Sequence, residues 1–167
     1  MKILALDVST KSTGWFITKK SCGKIVPDKT LSFGEKLVFF RQELDKLLRK
    51  YKPDVVVIED AYYRPGFGNI HTLKTLVKFA GVAIELCTSY GIETEVITAT
   101  TARKHCCGEH TEKFGKPEVF KFFVEKFGLQ DWTYEEHNDL TDAMALSWGY
   151  REIKRTQKKR DTPQAGD

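Results

Sequence analysis

The chain has 167 residues, of which 41% are hydrophobic and 30% charged, with a formal net charge of +4. That length suits one compact domain with a real core and leaves no room for a second of comparable size. No apolar run approaches the roughly 18–20 residues of a membrane span, and Met1-Lys2 leads through Ile3–Leu6 straight to Asp7, too short a stretch for a signal h-region, so a cytoplasmic protein is expected. Residues 151–167 hold six basic against three acidic side chains, contributing +3 and leaving +1 for residues 1–150. A basic end suits attraction to phosphate backbones, and equally a solvated, frayed terminus.

In chain order, Ile3–Leu6 reads as a buried strand, Gly14–Thr18 as a second and Ile25–Phe33 as a third, with Ser21–Lys24 as the hairpin turn. From Gly34 on, Leu37, Phe40, Leu44, Leu47, Leu48 and Tyr51 recur at three- and four-residue spacing, which predicts an amphipathic helix ended by Pro53. Val55–Ile58 is a continuous run of strong β formers, as a strand covered on both faces requires, and Glu59 lies at its exit. After a Gly/Pro-rich loop, helical periodicity runs from about Ile70 to Tyr90 and Gly91 caps it. Ile92–Ile97 is a short strand and Thr98–Cys107 a short helix. Pro117 suits the first turn of a helix to about Phe127, and Asn138 suits the cap of a last helix from Asp139 to about Lys154. The predicted order, β-β-β-α-β-α-β-α-α-α, implies an α/β fold with a mixed five-stranded sheet and helices on both faces.

Four carboxylates stand out on this frame. Asp7 and Glu59 end separate apolar strands, and Asp139 and Asp142, three residues apart, share one helix face. At the start of a helix their ionised forms would be favoured by its positive end. Converging, the four would hold one or two hard cations through oxygen ligands. Two ions about 3.5–4 Å apart would stabilise the attacking and leaving oxygens of an in-line phosphoryl displacement. Any one of these acids alone has an ordinary reading as a loop or capping residue, but Asp7, Glu59 and Asp139 sit in contexts where an unpaired charge costs stability. Asp60 is an alternative to Glu59, although a one-residue shift along a strand points to the other face.

Cys22, Cys87, Cys106 and Cys107 show no C-x-x-C spacing, so free thiols are expected. A zinc site from His105, Cys106, Cys107 and His110 matches no familiar ligand spacing.

Together, Ile3–Asp7 with Ser9-Thr10 and Gly14, Val57–Glu59 with Tyr62, Gly81–Ile84, and Asp139–Leu146 resemble the RuvC-type Holliday junction resolvases of the RNase H-like superfamily, in order and over nearly the whole chain. The chain's shortness and divergence look more like a phage or viral member, acting in a bacterial or phage-infected cytoplasm. The resemblance implies an RNase H-like nuclease domain over residues 1–156, followed by a basic, disordered tail over 157–167. It implies a homodimer that nicks four-way DNA junctions symmetrically, with two magnesium ions per site and manganese as a substitute, in DNA recombination and repair. Asp7, Glu59, Asp139 and Asp142 match the family's catalytic, metal-binding acids. Tyr62 matches an aromatic position that stacks on bases near the junction, a contact worth roughly 1–3 kcal/mol per base. Arg103 and Lys116 match basic positions near the scissile phosphate, with Lys104 and Lys113 as alternatives because residues 109–115 depart from the family's glycine-rich loop. His137 is either a proton-transfer or ligand-orienting group or a helix-entry residue.

Other readings share these residues. A nuclease acting more broadly on flaps, branched DNA or RNA–DNA hybrids would share the fold and the acids. A non-catalytic junction-binding module would keep the acids as structure. Leu6–Gly14 also resembles the phosphate hairpin of sugar kinases and actin-like ATPases, whose second domain this length cannot supply. For the dimer, Leu73, Leu76, Val77, Ala80, Ala83 and Ile84 offer more apolar surface than one core-facing stripe requires, although plain core packing also accounts for them.

Overall fold

The computed structural model describes residues 1–61, 69–107 and 115–161. Five strands form one sheet: β1 (Ile3–Asp7), β2 (Thr13–Thr18), β3 (Ser21–Ile25), β4 (Val55–Glu59) and β5 (Glu93–Ile97), in the order β3-β2-β1-β4-β5. β1 runs antiparallel to β2 and parallel to β4, and β5 continues the parallel half. The helices are α1 (Phe33–Tyr51), α2 (Ile70–Ser89), α3 (Ala99–Cys107), α4 (Lys116–Phe127) and α5 (Tyr134–Asp161). This is the mixed sheet covered on both faces that the alternating pattern predicts.

Strand parity sorts the core. Leu4, Leu6, Val56 and Ile58 pack with Phe40, Leu44 and Leu48 of α1 and Phe79, Ala83 and Leu86 of α2. Ile3, Ala5, Val55 and Val57 face the other way, against Ala102 of α3 and Leu146 and Tyr150 of α5. A third cluster joins Phe16, Cys106, Val119, Phe123 and Met144 under α4 and α5. Cys106 therefore sits in an apolar cluster, and His110, its partner in the zinc reading, lies outside the described residues.

β3 and α5 differ from the sequence reading at both ends, and Phe33, expected to end β3, opens α1. β3 is Ser21–Ile25, so the stretch read as a turn is strand and the hairpin turns at Lys19-Lys20. Gly23 explains this: a Cβ there would lie 2.9 Å from the Trp15 ring, so glycine serves cross-strand packing. α5 starts at Tyr134, and Asn138 lies inside it, its Nδ2 donating to Tyr134 O at 2.8 Å. The helix entry is made instead by Thr133, whose carbonyl accepts from His137 N at 3.0 Å. α5 also continues past Lys154 to Asp161. Its register on the sheet depends on Gly14, where a Cβ would come within 2.1 Å of Asp139 O. Gly14→Ala should therefore push α5 off β2, at about 1–3 kcal/mol or more. Calorimetry should show melting lowered by roughly 5 °C, taking about 2–4 °C per kcal/mol for a chain of this size.

Candidate active site

The parity that sorts the core also aims the acids. Asp7 continues the Ile3–Ala5 side of β1 and Glu59 the Val55–Val57 side of β4, and the parallel register Ala5↔Val57, Leu6↔Ile58 brings the two strand ends side by side. Both carboxylates therefore leave the sheet on the face covered by α5, where Asp139 and Asp142 lie. Asp60 is exposed beyond the strand end, its backbone N–H donating to Ile97 O at 2.9 Å.

Asp7 is 8% exposed and Asp142 3%. The Asp7 and Glu59 carboxyls are in hydrogen-bonding contact. Burial above all, and then the charges of Glu59 and Asp142, push the Asp7 carboxyl up to about 9. Burial, with the Asp142 charge, also raises Glu59, against the pull of its hydrogen bond with Asp7 and of Lys116 and Arg103. The pair shares a proton because two buried carboxylates cannot both ionise without a cation beside them.

Two of the anticipated basic residues supply part of that charge. Lys116, at the start of α4, brings Nζ within 2.5 Å of Asp142 Oδ2, and Arg103 of α3 lies 3.6 Å from Asp142 Oδ1. Among the described residues, that lysine amine is the one group set against Asp142 Oδ2, which otherwise has no hydrogen-bond donor. Burial acts to lower Lys116, but the Asp142 carboxylate and the charges of Asp7 and Glu59 outweigh it and hold the amine above its ordinary value.

Asp139 is held separately. Ser12 Oγ donates to its Oδ2 at 2.7 Å, and Lys24 Nζ stands 3.4 Å from the same oxygen. Sequence reasoning missed both residues. Lys24 was read as a turn residue, and only the strand register Gly14↔Lys24 carries it to the site. Because α5 begins five residues before Asp139, neither Asp139 nor Asp142 lies in its first turn, and the favourable helix-end charge expected for them acts on Glu135 and Glu136 instead. His137 is a helix-entry residue: its ring stacks on Trp132 at 4.7 Å, and its Nδ1 lies 3.1 Å from Thr133 N. Tyr62 and Lys113 lie outside the described residues.

Among the described residues, no group of three or more His, Cys, Asp or Glu side chains is drawn together closely enough to hold a metal ion. Lys116 and Lys24 stand against the acids instead. The donor set is nevertheless one that a hard cation suits, being all carboxylate and largely buried, with a lysine amine now set against the Asp142 oxygen that a cation would take.

No family model matches the chain. It is 26% identical to the crossover junction endodeoxyribonuclease RuvC of Lawsonia intracellularis over 168 residues, covering 95% of each chain. It is 29% identical to that of Fusobacterium nucleatum over 157 residues, covering 87% of this chain and 77% of the relative. Among solved structures, Thermus thermophilus RuvC in complex with a Holliday junction substrate superimposes with a TM-score of 0.75 at 12% identity, covering 93% of this chain and 96% of that one. That superposition establishes a shared fold. With sequence likeness over nearly the full length and this sheet order, the chain has the RNase H-like fold and is similar to the RuvC-type Holliday junction resolvases.

Proposed function

We propose that the protein is a divalent-metal-dependent endodeoxyribonuclease that resolves four-way junctions as a homodimer, by paired symmetric nicks. The observation that carries this reading is the buried, hydrogen-bonded pair of Asp7 and Glu59 at two strand ends, with the Asp142 charge near enough to raise both. A structural role would not require repelling carboxylates to be buried together. Asp7, Glu59, Asp139 and Asp142 would hold magnesium, two ions per site, with manganese able to substitute. When bound, such ions supply activation of the attacking water and stabilise charge on the phosphate oxygens.

The protein's own groups do the positioning. Ser12 and Lys24 fix the Asp139 carboxylate in one orientation. Lys116 is half-exposed, so its amine is free to turn from Asp142 to the scissile phosphate, with Arg103 beside it. Tyr62, three residues past Glu59, is assigned to stacking on junction bases. Residues 1–156 are assigned to the nuclease domain and 157–167 to a basic extension, the first part of which continues α5. No helix of the described residues is long and apolar enough to cross a membrane, which accords with the cytoplasmic site of action we assign.

α2 supports the dimer. Val77 is 53% exposed and Ile84 36%, with Leu73 and Ala80 half-buried on the same side. Ala83, anticipated as part of that face, is in the core. A Cβ on Gly81 would meet nothing within 4 Å, leaving room for a second helix to approach. Two symmetric nicks need two sites related by a two-fold axis. Val77→Glu with Ile84→Glu should give monomers by light scattering and abolish paired nicking.

A panel of end-labelled four-way junction, matched duplex, flap and RNA–DNA hybrid in magnesium tests the substrate. Preference for the junction by about tenfold or more supports resolution. Equal cutting of flap or hybrid would replace it with the broader nuclease.

A further inference from the structure

A second basic surface lies on the opposite face of the sheet from Lys116 and Arg103. Lys11 on the β1–β2 turn, Lys36 in the first turns of α1 and Lys78 of α2 line an open cleft of about 570 Å³, with Phe33 and Thr72. None of the described lining residues is acidic. The nearby carboxylates are engaged locally: Glu35 accepts from Ser32 N at 2.8 Å and Asp28 from Thr30 N at 2.8 Å. Lys36 Nζ reaches a backbone carbonyl, Lys29 O, at 3.5 Å, and Lys78 Nζ stands 5.2 Å over the Phe33 ring. Among the described residues none of the three forms a close ion pair, the charge of Asp28 acting on Lys36 only from a distance, so three cations drawn into one cleft repel one another.

One turn links the cleft to the acidic site. The turn that carries Lys11 leaves β1 directly after Asp7, and its Ser12 bonds Asp139. That turn is braced by Ser9 and Thr13, with Thr13 Oγ1 donating to Ser9 O at 3.0 Å. α1 and α2 both begin at this same end of the sheet, as the exits of β3 and β4 require.

Resting on the nuclease reading above, we propose that this cleft holds backbone phosphates of a junction arm. The cut strand then crosses the acids between two cationic surfaces, Lys116 and Arg103 on one side and Lys11, Lys36 and Lys78 on the other. Isolated ammonium groups suit this task, since phosphate contacts fix register without reading sequence. The aromatic wall at Phe33 limits how deep the backbone enters.

The test is anisotropy with a labelled four-way junction across a salt series, every protein carrying Asp7→Asn so that binding is read without cutting. Each lost phosphate contact removes about 0.9 from the slope of log affinity against log salt. Lys11→Gln, Lys36→Gln and Lys78→Gln together should flatten the slope by about 2–3 and weaken binding about 10- to 100-fold near 0.1 M salt. The matching triple arginine variant should restore both. Lys46→Gln, Lys50→Gln and Lys121→Gln, an equal loss of charge elsewhere, should stay within about threefold of the reference. An unchanged slope in the first triple, or an equal loss in the second, overturns the cleft as a phosphate site while leaving the resolvase standing. A reference protein that binds no branched DNA overturns the resolvase reading and this inference with it.

Discussion

Asp7→Asn should lower junction cleavage by about 10³-fold or more and at the same time make the metal-free protein harder to melt. The two effects have one cause. Asp7 is buried beside Glu59 and Asp142, so its charge is costly in the folded state until a cation arrives, and that charge is what a metal site uses. Asparagine keeps the shape and removes the cost. In chelator the variant should melt roughly 5–10 °C higher near pH 8, a few kcal/mol at about 2–4 °C each.

The pH dependence follows by sign. Folding raises the Asp7 carboxyl from its ordinary 3.8 to about 9, so the folded state keeps a proton that the unfolded state has lost. Below about pH 4 both states are protonated and the residue adds no penalty. As pH rises from there toward 9, stability is progressively lost, and above 9 the loss is complete. Groups such as Asp28 and Asp45, held low by Thr30 and by Arg49 and Tyr90, act in the opposite sense at acid pH. The difference between the wild type and Asp7→Asn cancels those contributions. It should be near zero at pH 4 and widen toward pH 9. Magnesium should then raise the melting temperature of the wild type more than that of the variant. A constant gap would mean that Asp7 ionises freely in the fold.

Lys116→Ala should damage both stability and catalysis, and a second substitution should separate the two. Asp142 is 3% exposed, and its Oδ2 looks to the lysine amine at 2.5 Å for compensation. Leaving a buried carboxylate without its cation costs several kcal/mol where both groups are enclosed. Lys116 is half-exposed, so water replaces part of the loss, and about 1–3 kcal/mol is expected in urea denaturation. Cleavage should fall by about 100-fold through loss of a cation at the phosphate. Adding Asp142→Asn should recover the stability but not the activity. Arg103→Ala should cost less stability, since its contact with Asp142 is longer, at 3.6 Å. If the double variant were no more stable than Lys116→Ala, the lysine would hold the fold through its stem rather than its charge.

The order of elements was legible because most strands and helices here obey a single period. Val55–Ile58 shows the continuous apolar run of a central strand, and α1 repeats apolar residues at helical spacing up to Pro53. The pairing of Asp7 with Glu59 was legible for the same reason, since each ends a run whose parity fixes its face. What escaped depends on contacts between distant residues. Gly23 looked like a turn residue because nothing in the local sequence reveals the Trp15 ring packed on it. Asn138 looked like a helix cap, yet Thr133, His137 and the stacked Trp132 start the helix earlier. Ser12 and Lys24 could be joined to Asp139 only once the β2–β3 register and the seat of α5 against Gly14 were known.

The most direct test of the central claim is to map cuts on all four strands of an end-labelled four-way junction, with wild type and Asp7→Asn, in magnesium and in chelator. Paired nicks placed symmetrically across the junction are expected, dependent on the metal and absent from the variant. Junction binding with no cutting by either protein, in magnesium or in manganese, would contradict that claim and make the buried acids structural.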